Sequence, residues 1–194
     1  KNIIHKNYLD ILEKYDYVIY SRFDQFYTDI HPKFSGDHLW IPEGEDYFGV
    51  CDRHIIFPSK YSKKYFGICD YINDDESFKN LPKVVNPEAV FLNYLEFTGL
   101  DKKIIRINRF NFTSALASDS TRWRVASYKV YFYRNLMMKY PDEFLLSVKT
   151  LINKYSLIKN IFTNSRLLIN YYYLISRQIL GKILKKSPQA KNRV

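Results

Sequence analysis

The apolar and polar positions of this chain change period several times, and each change predicts an element. Tyr8, Leu9, Ile11 and Leu12 fall at helical spacing and predict a helix over residues 7–14. The apolar run Tyr17-Val18-Ile19-Tyr20 predicts a strand that ends at Ser21. A loop follows, marked by His31-Pro32 and Ser35-Gly36. Leu39-Trp40-Ile41 reads as a short strand stopped by Pro42-Glu43-Gly44, Phe48-Gly49-Val50-Cys51 as another, and His54 to Pro58 as a third. Tyr61 to Tyr71 has helical spacing. Pro87 opens a second clear helix whose stripe is Glu88, Val90, Phe91, Tyr94 and Leu95 and whose stop is Gly99. Lys103 to Asn108 reads as a strand. Strands alternating with helices predict an α/β fold, a sheet flanked by helices.

The last third changes character. Leu145, Val148, Ile152 and Tyr155 recur at three or four residues, as do Leu168, Tyr172, Ile175 and Ile179, so this region reads as helices broken at Ser156 and over residues 160–165. From residue 126 to 194 there are 13 Lys and Arg against Asp142 and Glu143, a net of +11. Subtracting from the whole chain leaves 17 basic and 18 acidic residues over 1–125, a net of −1. The expected organisation is therefore a near-neutral α/β region, 1–125, and a basic helical extension, 126–194. Three uses of the extension are open. It packs on the first region or on further sequence with a solvated basic face, it lies on anionic lipid, or it binds nucleic acid. The third lacks any helix-turn-helix, zinc-finger or RNP pattern to support it.

Length and composition add bounds. The chain has 194 residues, 46% of them apolar, enough for a domain with a real core. It begins at Lys1 inside a helical pattern, so a piece of a longer protein is expected. No run of about 18 apolar residues occurs, so no spanning helix is expected. Cys51 and Cys69 form no C-x-x-C pair and read as small core residues in a reducing compartment. His5, His31, His38 and His54 form no H-x-x-x-H, which argues against zinc. Glycine-built phosphate loops and the G-x-S-x-G elbow are also absent. Dehydrogenase, P-loop and serine-hydrolase chemistry is thereby disfavoured.

The candidate chemistry sits where strands end. In an open α/β sheet, ligands bind beyond the carboxyl ends of the strands. Arg22 and Asp24 leave the first strand there, on one side by the period of two. A guanidinium grips phosphate with paired hydrogen bonds, and a carboxylate holds a divalent cation whose other ligands are phosphate oxygens. The two suit a nucleoside diphosphate; an ordinary ion pair at a strand end is the alternative. Asp52-Arg53 follows the apolar run 48–51 in the same manner, as cleft residues or as a structural pair. Glu88 stands in a first helical turn, where the helix dipole favours it whatever its role. Arg106, Arg109, Arg122 and Arg124 add positive charge, with Arg122-Trp123-Arg124 placed either to meet a pyrophosphate or to cap the sheet.

YDYVIYSRFDQFY, LWIPEG, GVCDRHIIFPS and NPEAVFLNYLEFTGL, in that order, resemble the central and C-terminal part of glycosyltransferase-like proteins of lipopolysaccharide and capsule synthesis, including the WavE-like group. The resemblance covers residues 1–124. It implies a GT-A-like fold, a Rossmann-related sheet that binds a nucleotide sugar, whose early strands would precede Lys1. It implies a nucleotide-sugar donor, a glycan or lipid-linked glycan acceptor, and a cytoplasmic enzyme, peripheral on the membrane if the tail docks there. Such enzymes carry D-x-D with Mn or Mg. Here Asp24 matches the metal-binding acid and Arg22 replaces the other, which leaves open whether a divalent cation or Arg22 itself neutralises the diphosphate. Arg22, Asp24, Arg53, Arg122 and Arg124 are the candidate donor-binding residues. Asp52 is the first candidate for general base and Glu88 the second. A non-catalytic sheet domain that docks on a membrane or protein through its basic tail is the competing reading.

Overall fold

A computed structural model describes residues 4, 7–83, 85–119, 131–132 and 135–186. The protein is mixed α/β, and its contacts divide it into two compact units. The first is residues 1–23 with 31–109, the second 24–30 with 110–194.

The first unit opens with α1 (Leu9–Leu12) and β1 (Tyr17–Ser21). Then come β3 (Leu39–Pro42) and β4 (His54–Pro58); β2 (Gln25–Tyr27) belongs to the other unit. Short helices α2 (Ser62–Phe66), α3 (Ile68–Asn73) and α4 (Asp75–Lys79) lead to α5 (Pro87–Thr98) and β5 (Ile104–Ile107). The sheet order is β1-β4-β3-β5. β1 and β3 run antiparallel to β4, while β3 and β5 are parallel, with the helices as the crossover between them. β3 and β4 are buried at every position, which is why they read as unbroken apolar runs. At the edge, β1 buries Val18 and exposes Ile19. The core joins Leu39, Ile41, Ile55 and Phe57 of the sheet to Tyr65, Phe66, Phe91 and Leu95 of the helices.

α5 ends as its sequence predicts. Gly99 adopts φ 70°, and Leu100 N–H returns to Leu95 C=O at 2.8 Å. The helix expected over Tyr61 to Tyr71 is interrupted: a 3₁₀ turn, then α2, then a break at Gly67. The strand expected at Phe48 to Cys51 is absent, and this is a correction. Gly44, Glu45, Tyr47 and Phe48 have φ of 87°, 57°, 42° and 71°, so this segment is a loop. Phe48 is 82% exposed, whereas Val50 and Cys51 drop into the core.

In the second unit β2 is joined by β6 (Asn111–Leu116), β7 (Tyr131–Phe132) and β8 (Leu136–Met138), in the antiparallel order β2-β6-β8-β7. α6 (Pro141–Lys154) and α7 (Leu157–Lys186) cover a core of Phe112, Met138, Phe144, Val148, Leu151, Leu167, Leu168 and Leu174. Glu143 is fully buried and accepts the Thr113 N–H at 2.7 Å, a charge-assisted bond from helix to strand. The break expected over residues 160–165 reduces to one non-helical residue, Asn164, at φ −131° and ψ 24°. Composition divides the chain at 125/126, but contacts divide it at 109/110 and place residues 24–30 with the later part.

Candidate functional site

Antiparallel pairing sets the end of β1 against the start of β4, with Ser21 opposite His54. The next pair outward is Arg22 and Arg53, and the Arg22 N–H donates to the Arg53 carbonyl at 3.0 Å. Asp52-Arg53 thus precedes a strand rather than following one, the reverse of the sequence expectation. It still reaches the end of β1, because neighbouring strands run in opposite directions.

Arg22 is exposed and Asp52 half-buried. Tyr20, two residues before Arg22, has its phenol pKa raised by burial and by the negative charge of Asp52, against the opposing effect of Arg22. Behind it Tyr65 is fully buried, its ring centroid 5.7 Å from that of Tyr20. Burial, Tyr20 and Asp52 push its phenol well above the ordinary 10. A cation, a carboxylate and two phenols therefore share one field at this strand end. Tyr20 was legible in principle, since it lies on the side of the strand that Arg22 does.

Arg53 turns inward. Its Nη2 meets Glu88 Oε1 at 3.1 Å, with both side chains buried, and its guanidinium carbon lies 5.8 Å from the Tyr47 ring centroid. Glu88 is placed by the start of α5. Asn86 Oδ1 caps the Ala89 N–H at 2.8 Å, Pro87 takes the first turn, and Asn86 Nδ2 donates to the Tyr47 carbonyl at 2.8 Å. One helix start thereby fixes both Glu88 and the 44–48 loop.

Two arginines with open roles in the sequence hold that loop. Arg106 Nη2 donates to Asp46 Oδ1 at 2.9 Å and to Pro42 C=O at 2.8 Å. Arg109, 1% exposed, donates from Nε to Glu43 C=O at 2.5 Å and from Nη2 to Gly44 C=O at 2.9 Å. Buried Arg109 and half-buried Arg106, spent on backbone carbonyls and on Asp46, are loop pins.

Of the sequence candidates, Arg22, Asp52, Arg53 and Glu88 lie in the first unit. Asp24 lies in the second, half-buried in the turn before β2, where its carbonyl accepts the Ser114 N–H at 2.8 Å. Arg122 and Arg124 lie outside the described residues. Among the described residues, no three or more His, Cys, Asp or Glu gather as a group that could hold a metal ion. A surface depression of about 600 Å³ in the first unit lies at the far end of the strands, bounded by Tyr17 at the start of β1 and Pro58 at the end of β4. Its Lys60 and Asp37 pair at 2.6 Å, and Lys103 also reaches Asp37 at 2.6 Å.

Sequence patterns gave no sign of a histidine pair beside the candidate cluster. His31 and His54 meet Nε2 to Nε2 at 3.2 Å. His31 Nδ1 lies 2.8 Å from the Pro32 carbonyl. Donation there leaves His31 Nε2 as acceptor and His54 Nε2–H as donor. Burial, then His31 and Arg109, lower the His54 pKa to about 3. Unfolded, the same imidazole titrates near ~6.5. Between those values the unfolded chain binds the extra proton, so acid favours unfolding. From pH 7.5 to pH 5.5 this residue is expected to remove about 1.4 kcal/mol of stability, read from urea midpoints. His54→Gln should flatten that part of the slope; an unchanged slope would assign the pH dependence to other groups.

Comparison with models of protein families, with curated proteins and with solved structures gives no match for this chain.

Proposed function

We propose that the chain is a glycosyltransferase of the GT-A-like type, moving a sugar from a nucleotide-sugar donor to a glycan acceptor in surface-polysaccharide synthesis. The observation that carries the reading is the convergence of exposed Arg22 and half-buried Asp52 where β1 ends and β4 begins. These are the positions that the family resemblance assigns to the donor diphosphate and to the acceptor.

In this reading Arg22 binds the diphosphate, whose negative charge grows as the nucleotide leaves, so its cation favours the transition state over the ground state. Asp52 accepts the proton of the acceptor hydroxyl as that oxygen attacks the anomeric carbon. The bond from the anomeric carbon to the diphosphate oxygen breaks, and the nucleoside diphosphate departs with the electron pair. Asp52 suits the role of base better than Glu88, because Glu88 is buried and ion-paired to Arg53. Arg53 and Glu88 then act as a strut that positions the Asp52 backbone. The place of Asp24, which lies in the second unit, rests on the resemblance alone.

The test is thermal shift and calorimetry on the whole chain with UDP, GDP, CMP and dTDP, each with Mn²⁺, Mg²⁺ or EDTA. One nucleotide is expected to raise the melting temperature by binding the native state. Arg22→Ala should weaken that nucleotide 10- to 100-fold, as loss of a charged hydrogen-bonding group does. Survival of the shift in EDTA would assign neutralisation to Arg22, and loss would assign it to a cation. No shift with any nucleotide, or equal affinity in Arg22→Ala, would overturn the reading.

A further inference from the structure

We propose that α7 carries an interfacial membrane face, a stripe of apolar side chains that seats on anionic lipid independently of the proposed transfer reaction. Among the described residues no helix is long and apolar enough to cross a membrane, so the face would lie on the surface of the bilayer.

The argument begins with the two faces of the helix. Beyond the irregularity at Asn164, Leu167, Leu168 and Leu174 are buried in the core of the second unit. They account for one apolar arc. Ile169, Tyr172, Tyr173, Ile179, Leu180 and Ile183 form another, and each is at least half exposed. At 3.6 residues per turn, those six fall within an arc of about 120°, turned away from the buried one. Exposed Ser165 and Ser176 lie in the same arc. The shorter segment before Asn164 repeats the pattern with Ile158, Ile161 and Phe162, the last 84% exposed. Single exposed apolar residues need no explanation, but a continuous stripe along a helix does.

Charge selects the occupant. α7 holds six Lys or Arg and no Asp or Glu along its 30 residues. Exposed Arg166 and Arg177 flank one edge of the stripe, and exposed Lys182 lies beyond the other. The Arg177 guanidinium carbon lies 5.7 Å from the Tyr173 ring centroid, which places a cation and an amphipathic aromatic side by side. A second copy of the chain would bring another Arg166 and Arg177 to the same seam. An anionic lipid surface offers hydrocarbon for the stripe and phosphate for its edges.

The experiment is flotation of the whole chain with vesicles of phosphatidylcholine, alone or with phosphatidylglycerol. Binding is expected to the mixed vesicles and to fall with added salt. Arg166→Gln and Arg177→Gln should each weaken it about fivefold, the effect of one juxtamembrane cation. Ile179→Ser/Leu180→Ser/Ile183→Ser should abolish it with the circular dichroism and melting temperature unchanged, since these side chains are exposed. Ile169→Ser alone provides a milder variant should the triple substitution fail to fold, and should also weaken binding. Absence of binding to the mixed vesicles, or binding indifferent to both apolar variants, would overturn the proposal. So would a lipid-free dimer in sedimentation velocity that the triple variant dissolves, because the stripe would then belong to a second copy.

Discussion

Replacing Arg53 by methionine is expected to destabilise the protein by about 3–5 kcal/mol, and replacing Glu88 by leucine in the same chain should recover most of that loss. Both residues are buried, at 2% and 7% exposure, and their ion pair is 3.1 Å long. Removing the guanidinium leaves a carboxylate with little water and no countercharge from its partner. Removing both charges exchanges a desolvated pair for apolar packing, which is close to neutral in comparable settings. The check is a double-mutant cycle from urea denaturation of the wild type, Arg53→Met, Glu88→Leu and the double variant. Strong coupling is expected; additive losses would mean that the two residues stabilise the unit through separate contacts.

The same pair shows what sequence could and could not reveal. β1 was legible because Tyr17 to Tyr20 is an apolar run that stops at charged residues. α5 was legible because Asn86, Pro87 and Gly99 are local start and stop signals that the structure uses as such. The pairing of β1 with β4 is not local: nothing near Arg22 announces that its neighbour is Arg53. Asp52-Arg53 was expected to follow a strand, and it precedes one. Residues 48–51 are loop, because a short apolar run cannot distinguish a strand from a buried loop end. The left-handed residues that break it lie beside Asp46, whose Oδ1 accepts from Arg106 and from the Cys51 N–H. That holding contact comes from sixty residues away.

The second unit was obscured for a different reason. β6 reads as polar, with Asn111, Thr113 and Ser114, yet these residues are buried. Two of them are held from other elements: Asn111 Nδ2 donates to Gln25 Oε1 at 2.8 Å, Gln25 Nε2 donates to Thr113 Oγ1 at 3.0 Å, and Glu143 takes the Thr113 N–H, while the Asn111 Oδ1 is buried without a hydrogen bond. A strand whose polar groups find partners on other elements carries no apolar signature of its own. Charge counting divides the chain by where lysines and arginines accumulate, and contacts divide it by which strands pack and pair.

Gly49→Ala is expected to cost about 3 kcal/mol, at the upper end of what overpacking does. A Cβ at this position would lie 1.9 Å from the Glu88 carbonyl oxygen, 2.2 Å from its carbon and 2.5 Å from Ala89 N. All three are backbone atoms of the first turn of α5, so no side-chain rotation can relieve the clash. Neither partner is free to yield. The Asn86 cap and Pro87 hold the helix start, and the Val50 N–H donates to the Glu88 carbonyl at 3.3 Å. Arg106 and Arg109 pin the loop from its other side. Gly99→Ala separates close approach from backbone conformation. Gly99 has φ 70° and nothing within 4 Å of its would-be Cβ, so it should lose only about 1 kcal/mol to left-handed strain. Urea midpoints of the two variants decide the matter. Equal losses would mean that the loop does not press on the helix start, and the positioning of Glu88 would then need another cause. A far larger loss in Gly49→Ala would show that the loop and the helix that orient Arg53 and Glu88 form one packed unit. Any displacement of that unit would carry Asp52 with it, through the Arg53 backbone.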